Sequence, residues 1–105
     1  MIESIDRIKK FTDKMNFEEF LDDEMAQFAI IKNFEIIGEA AYYTSKELKS
    51  KYPEIEWRKI KAFRHKLVHD YYEINLEIVW KTKEDKIDKL KDQIEEILKR
   101  IEEEE

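Results

Sequence analysis

The sequence predicts an all-α protein, an antiparallel four-helix bundle with a short connector helix. The chain has one Gly and one Pro in 105 residues, whereas the turns of sheets usually need clusters of Gly, Pro, Asn or Asp. Apolar residues recur every three or four positions along most of its length, which is the period of an amphipathic helix. The length fits a single domain, residues 1–105.

Composition excludes several classes of protein. With 42% hydrophobic residues the chain can form a core, and it lacks the roughly 18-residue apolar run of a membrane span. The absence of Cys excludes disulfides and thiolate metal sites. A single Gly excludes Rossmann folds and P-loops. The charged N-terminal segment lacks the apolar core of a secretory signal, so we expect a cytoplasmic protein.

The first part of the chain predicts a long helix, a short helix and a second long helix. Asn16, with Glu19 three residues later, predicts a capping box that starts a short helix over residues 17–21. Asp22 is expected to cap the second long helix, residues 23–43. The apolar face of the first helix is predicted to consist of Ile2, Ile5, Ile8, Phe11 and Met15.

The second long helix is apolar on more than one side. One set of residues lies near a common face, whereas Phe28, Ile31 and Phe34 point elsewhere. Such a helix is buried on more than one side, and in so small a chain the second partner could be another subunit. Gly38, inside this helix, indicates either a close helix–helix crossing or space beside a site. The common face comprises Met25, Ala26, Ala29, Ile30, Ile37 and Ala41.

The second part of the chain predicts the connector and two more helices. Ser45 can cap a short helix that stops before Pro53. The next helix is expected to start near Glu54 and to end at residues 69–72. Asn75 caps the last helix, which carries a long apolar stripe. The inward residues of the preceding helix are predicted to be Trp57, Ile60, Phe63 and Leu67.

Positive charge is concentrated in residues 46–67. This window contains eight basic and three acidic residues, a net charge of +5, so the rest of the −6 chain carries −11. A basic region on an acidic protein is a candidate site for an anion such as polyphosphate or RNA. The alternative is a solvated helix surface in a chain rich in Lys and Glu.

Both histidines lie at the end of this basic window. His transfers protons near neutral pH, and Arg can hold a phosphate with two hydrogen bonds. Arg64 and His69 are five positions apart, about 140° around an ideal helix. They can converge if the helix ends near His69 or if two copies meet across a dimer. His65 and His69 have the spacing of a metal-binding pair, but the Glu of His-Glu-x-x-His is missing and Lys66 lies between them. We therefore predict no metal and no cofactor.

The segment Arg64-x4-His69-x-Tyr71 resembles the R-x4-H-x-Y motif of HepT-like toxins, in the HEPN superfamily of helical ribonucleases. The polar residue after the motif Arg is His65 here, where HepT-like proteins more often have Asn. Further segments look like the family's successive landmarks, in order, and the resemblance covers about residues 2–98. These are Phe17-Glu18-Glu19-Phe20, Ile36-Ile37-Gly38-Glu39-Ala40-Ala41, Tyr52-Pro53-Glu54-Ile55-Glu56-Trp57 and Val79-Trp80.

The resemblance implies a homodimer with two motif copies in a cleft at the subunit interface. It implies metal-independent cleavage in which the 2′-hydroxyl of the RNA is the nucleophile. By analogy, His69 would be the general base or acid, and Arg64 would position the phosphate and stabilise the phosphorane. His65 would orient the site or bind phosphate, and Tyr71 would line the cleft. The residues expected to bind RNA are Arg58, Lys61 and Lys66.

The resemblance also implies a partner, an MntA-like minimal nucleotidyltransferase antitoxin that transfers AMP to the motif tyrosine, Tyr71. A bulky anion there would fill the RNA cleft and repel RNA. The adjacent Tyr72 offers a second hydroxyl, but the motif spacing favours Tyr71, and we expect Tyr72 to be a packing aromatic.

The sequence leaves open the role of Glu39 and the choice between two functions of the protein. Glu39 could form a salt bridge with Arg64, or it could be a neighbour that tunes Arg64 or His69. The leading function is an endoribonuclease toxin with tRNA as the expected substrate. The alternative is a non-catalytic dimeric helical module that binds a nucleotidyltransferase or a nucleotide.

Overall fold

The all-α class predicted from the sequence is confirmed. The computed structural model describes residues 1–104, apart from the side chain of Tyr71, and this part of the chain forms six α-helices and no strand. A 3₁₀ turn, Tyr71–Glu73, joins the last two helices. The helices are α1 (Ile2–Thr12), α2 (Phe17–Leu21), α3 (Glu24–Tyr43), α4 (Lys46–Lys51), α5 (Trp57–His69) and α6 (Leu76–Glu104).

Helix α3 lies at the centre of the bundle. It packs against α1 on one side and α5 on another, and α6 packs along α1 and α2. Helices α1 and α6 run antiparallel, because the ion pairs Lys9–Asp88 and Asp6–Lys91 join them in reverse chain order. The buried core comprises Ile5, Ile8, Phe20, Ala26, Ile30, Ile31, Phe34, Ile37, Leu67, Val79 and Ile87.

A smaller apolar cluster holds the connector α4 against the distal part of α6. It is formed by the buried Tyr52, Ile55 and Ile97, with Trp57 packed against them. The indole Nε1 of Trp57 donates a hydrogen bond to the backbone oxygen of Tyr52, at 3.0 Å. This bond fixes the start of α5 relative to α4, and so helps to position the basic helix that carries the motif.

Three of the predicted helix caps are confirmed. Asn16 and Glu19 form the reciprocal capping box of α2. The side chain of Ser45 accepts a hydrogen bond from the backbone of Leu48 at the start of α4. Asn75 accepts from the backbone N–H groups of Glu77 and Ile78 at the start of α6. Each cap depends on contacts within three residues, so the local sequence is enough to predict it.

The cap predicted for α3 was one residue early. Asp22 has helical backbone angles and ends α2, since its N–H donates to the carbonyl groups of Glu19 and Phe20. Asp23 has an extended backbone, and its Oδ1 accepts from the N–H of Ala26 at 3.0 Å. Asp23 therefore caps α3.

The predicted start of α5, near Glu54, was also wrong, because the helix begins at Trp57. The backbone N–H of Ile55 donates to the carbonyl of Tyr52, and the N–H of Trp57 donates to that of Ile55. These turn bonds place the side chain of Ile55 in the small apolar cluster. A helix that began at Glu54 would lack these turn bonds and would not place Ile55 in this way.

One residue of the predicted apolar face of α1 is exposed. The buried residues are Ser4, Ile5, Ile8 and Thr12, whereas Phe11 is 49% exposed. Thr12 lies four positions after Ile8 and its hydroxyl donates to the Ile8 carbonyl, which satisfies the buried polar group. Phe11 lies about 100° from Thr12 around the helix and points away from the centre of the buried face.

None of the helices in the described part of the chain is long and apolar enough to cross a lipid bilayer.

Candidate active site at the end of α5

The motif residues lie where α5 passes into the 3₁₀ turn. Arg64 and His69 are both helical, and His69 is the last residue of α5. Asp70 ends the helix, with its N–H donating to the carbonyl of Lys66, and Tyr71 opens the turn. The helix therefore ends at His69, as predicted, and Arg64 lies within its regular part, about 140° away around the axis.

Arg64 lies at the crossing of α3 and α5, packed on Gly38. A Cβ added to Gly38 would lie 2.8 Å from Cδ of Arg64 and 2.9 Å from Cγ, and closer still to Cβ. Arg64 is partly buried, and its Nε atom is fully buried with no hydrogen-bond partner in the described part of the chain. Gly38 therefore fits both interpretations offered by the sequence. It allows α3 and α5 to cross closely, and it leaves space for the side chain of the motif residue Arg64.

Arg64 does not pair with Glu39. Among the described residues, no ion pair joins the two side chains. Glu39 is exposed and lies about 100° round α3 from Gly38, the residue on which Arg64 packs. Its expected role as a neighbour that tunes the site stays a prediction.

The two histidines lie side by side on the outer surface of α5. Their ring centroids are 4.3 Å apart, with an angle of 41° between the ring planes. Both residues are exposed. A spacing of four residues places them on the same face one turn apart, so a group that approaches His69 also meets His65. In the described residues, no three His, Asp or Glu side chains are grouped to hold a metal ion.

The basic residues of the window divide into paired and unpaired groups. Lys51 pairs with Glu104, and Lys59 pairs with Glu56. No ion pair of a described residue engages the three side chains expected to bind RNA, which are exposed. Their charge is therefore available to an anionic ligand beside the histidines. These residues are Arg58, Lys61 and Lys66.

The structure describes the side chain of Tyr72 but not that of the motif residue Tyr71. The side chain of Tyr71 lies outside the described part of the chain, so its predicted role in the cleft stays a prediction. Tyr72, expected to be a packing aromatic, is instead 99% exposed.

Exposed apolar side chains lie on α3 and near the end of α5. On α3, Met25, Phe28, Ile36 and Tyr43 lie on its outer side, and Val68 of α5 lies between the two histidines in sequence. Opposite this stripe, α3 buries Ile30, Phe34 and Ile37 in the core. The prediction that α3 is apolar on more than one side is confirmed, but its faces differ from those predicted. Ile31 and Phe34, expected to point elsewhere, join the core, and Met25, expected on the common face, is 83% exposed. Several exposed apolar side chains on one side of a helix are typical of interaction surfaces.

A cavity that the sequence does not predict lies between α5 and α6. Its volume is about 210 Å³, and its walls are largely apolar, with Phe34, Ile60, Phe63 and Leu90 among them. Glu56 lies at its edge and bonds to both Lys59 and Lys86. The hydrogen bonds from these two lysines lower the pKa of Glu56 to about 2. The cavity depends on how three helices meet, which no local pattern encodes.

Comparisons with known proteins give consistent results. The sequence model of the family described as "Ribonuclease HepT-like" matches residues 1–97. The chain is 40% identical over 97 residues to a Thermococcus cleftensis protein named "Probable ribonuclease HepT", covering 92% of this chain and 88% of the relative. It is 39% identical over 102 residues to a Methanocaldococcus jannaschii protein named "Putative RNase", covering 97% and 84%. A "Putative RNase" of Caldanaerobacter subterraneus is 35% identical over 96 residues, covering 91% and 82%. No solved structure gives a significant match.

Proposed function

Since the chain belongs to the Ribonuclease HepT-like family, we propose that it is a metal-independent endoribonuclease toxin with its active site at the end of α5. The observation that carries this proposal is the grouping of His65 and His69 on an outer surface of α5 that also bears unpaired cations. Proton-transfer groups beside a phosphate-attracting surface are what RNA cleavage requires.

In the proposed reaction the 2′-hydroxyl of the RNA attacks the adjacent phosphorus. His69 accepts the hydroxyl proton or donates a proton to the departing 5′-oxygen. The new bond joins O2′ to phosphorus and the bond to O5′ breaks, which leaves a 2′,3′-cyclic phosphate and a 5′-hydroxyl. Arg64 positions the phosphate and stabilises the charge that develops in the phosphorane. His65 orients His69 or binds phosphate.

The proposed active form is a homodimer with two motif copies in one cleft. Arg64 and His69 stay offset on a single helix, so a complete site needs groups from a second chain. The exposed apolar side chains on the outer side of α3, the helix that packs against α5, support pairing through α3. In a two-fold dimer each chain contributes the same surface, and two basic windows then line the cleft.

The proposed partner is an MntA-like minimal nucleotidyltransferase that acts as the antitoxin. The hydroxyl of Tyr71 would attack the α-phosphorus of ATP, with loss of pyrophosphate, and so become AMP-modified. The resulting phosphodiester would occupy the path of the RNA backbone and repel it. Incubation with this enzyme and ATP should add AMP units to the wild type and none to Tyr71→Phe. A label found only on Tyr72 would contradict this assignment.

The expected substrate is tRNA, which the protein would meet in the cytoplasm. Purified protein incubated with total tRNA should cut it in the presence of EDTA, and the new ends should carry 2′,3′-cyclic phosphate. His69→Ala should abolish the cuts without loss of fold, because His69 is exposed. Lys81→Ala, an exposed change on α6, is the matched control and should retain activity. Activity that depends on added Mg²⁺ or Zn²⁺ would refute the metal-free mechanism. Intact tRNA together with stable binding of the nucleotidyltransferase would favour the non-catalytic module.

A further inference from the structure

The crossing of α3 and α5 is too close for any side chain at position 38. A Cβ at Gly38 would lie within 3 Å of Cβ, Cγ and Cδ of Arg64. Changing rotamer can move Cγ and Cδ, but Cβ is fixed to the backbone of α5. A side chain at position 38 therefore forces α5 away from α3 or rotates it, and either movement displaces Arg64.

The guanidinium of Arg64 is held by packing alone at its inner end. Its Nε is buried and finds no hydrogen-bond acceptor in the described residues, and no described carboxylate pairs with it. Since the stem packs on Gly38 and Nε is buried, the partial exposure of Arg64 falls to the tip of the guanidinium. The direction of that tip is then set by the distance between the two helices.

We propose that Gly38 is a positioning residue for Arg64, which lets the Arg64 stem lie against the backbone of α3 and holds its guanidinium tip in the direction needed to meet a phosphate. The inference rests on the proposed ribonuclease function for its consequence in catalysis. A glycine inside a helix is unfavourable relative to alanine, and a buried unpaired donor is unfavourable as well. Both occur here at one contact, which involves a motif residue.

The position of Arg64 can be tested without any RNA. Arginine Nε–Hε groups give their own NMR signals, and the Arg64 signal is identified by its loss in Arg64→Lys. In the wild type this proton should exchange slowly with water because Nε is buried. Gly38→Ala should shift the signal and speed its exchange at least about tenfold, because opening the crossing admits water. An unchanged signal and exchange rate in Gly38→Ala would overturn the proposal.

The control adds one heavy atom elsewhere on the same helix. Ala40 lies about 200° round α3 from Gly38, on a different side of the helix. Ala40→Ser should leave the Arg64 signal and the rate of RNA cleavage unchanged. If Ala40→Ser moves the signal as much as Gly38→Ala does, general disturbance of α3 explains the effect and the proposal is wrong.

The consequence for catalysis is tested by kinetics on cleavable RNA. Gly38→Ala should lower kcat about 10- to 100-fold, because a shift of about 1 Å in a catalytic group has effects of this size. KM should change much less, since Arg58, Lys61 and Lys66 still attract RNA. In Arg64→Lys, adding Gly38→Ala should lower kcat by a smaller factor than it does in the wild type. Equal losses in both backgrounds, or a loss of helicity, would show a purely structural role. If the wild type cuts no RNA while the NMR results hold, the proposed function fails and the positioning role stands.

Discussion

Three buried side-chain atoms in the described part of the chain lack hydrogen-bond partners, and only one of them lies in the motif. Asn33 Oδ1 and the hydroxyl of Tyr52 are enclosed by helix packing, whereas Arg64 Nε lies at the crossing of α3 and α5. Leaving such a group unsatisfied destabilises the fold by about 1–3 kcal/mol. At Arg64 this loss of stability accompanies a proposed functional role, the positioning of the guanidinium. No functional role is proposed for the hydroxyl of Tyr52.

Replacing Tyr52 by Phe should therefore stabilise the protein. Tyr52 is 1% exposed, and its ring packs with Ile55 and Ile97. Tyr52→Phe keeps these contacts and removes the unpaired hydroxyl, so the free energy of unfolding should rise by about 1 kcal/mol. Equilibrium urea unfolding measures the change. Tyr42→Phe, on a ring that is 55% exposed, is the control and should have an effect within about 0.5 kcal/mol. A clear loss of stability in Tyr52→Phe would contradict the prediction.

At the scale of residues, the sequence identified the motif but could not supply its contacts. The residue types and spacing of Arg64 and His69 indicated phosphate chemistry directly. For Gly38 the sequence left open a close crossing or space beside a site. The choice needed the position of α5 relative to α3, which depends on packing between segments far apart in the chain. The sequence also allowed an ion pair between Arg64 and Glu39 that does not form.

At the scale of elements, the cap of α3 gives a direct test of neighbouring residues. Asp23 accepts a hydrogen bond from Ala26 N–H, whereas Asp22 ends the preceding helix through its backbone. Asp23→Ala should lower the free energy of unfolding by about 1 kcal/mol, the usual effect of losing an N-cap. Asp22→Ala, measured by the same urea titration, should lower it by a few tenths at most. A larger effect at Asp22 would instead support Asp22 as the N-cap of α3, as the sequence predicted.

Helix boundaries were predictable where they depend on local contacts. Asn16, Ser45 and Asn75 cap their helices through bonds to residues two or three positions ahead. The start of α5 was not predictable in this way. It depends on the burial of Ile55 beside Tyr52 and on the bond from Trp57 Nε1, and these contacts form only when α4 packs on α6.

The link between α5 and α6 should make stability depend on pH. Glu56, at the N-terminus of α5, pairs with Lys59 of α5 and with Lys86 of α6, and its pKa falls from 4.5 to about 2. A carboxyl group with a lowered pKa stabilises the fold fully above its unfolded pKa. This contribution is lost as the pH falls from about 4.5 towards 2. Acid unfolding should therefore include a component from Glu56.

Glu56→Gln tests this contribution. The variant should be less stable than the wild type at pH 7, and the difference should vanish near pH 2. Thermal unfolding across this range measures it, and added salt should reduce the difference because the ion pairs are partly exposed. Glu54→Gln is the control, since Glu54 is exposed and forms no ion pair with a described residue. A constant difference between wild type and Glu56→Gln at all pH values would contradict the titration account.

At the scale of the whole molecule, α5 serves two surfaces. Its inner side sends Ile60, Phe63 and Leu67 toward the core and the cavity. Its outer side carries the histidines and the unpaired cations. Arg64 lies between these sides, at the contact with α3. Any movement of α3 relative to α5 therefore acts on the motif, and a second chain seated on α3 would act on it as well.

The proposed dimer can be tested by placing charge on its apolar surface. Ile36 is 36% exposed on α3, and in an isologous dimer one substitution enters the interface twice. Ile36→Glu should convert the dimer to a monomer at micromolar concentration, measured by sedimentation, and cleavage of RNA should fall with it. Leu98→Glu, on α6 and 48% exposed, places the same charge on a site of similar exposure and should leave the dimer intact. A wild type that sediments as a monomer, or dissociation by Leu98→Glu alone, would move the interface away from α3.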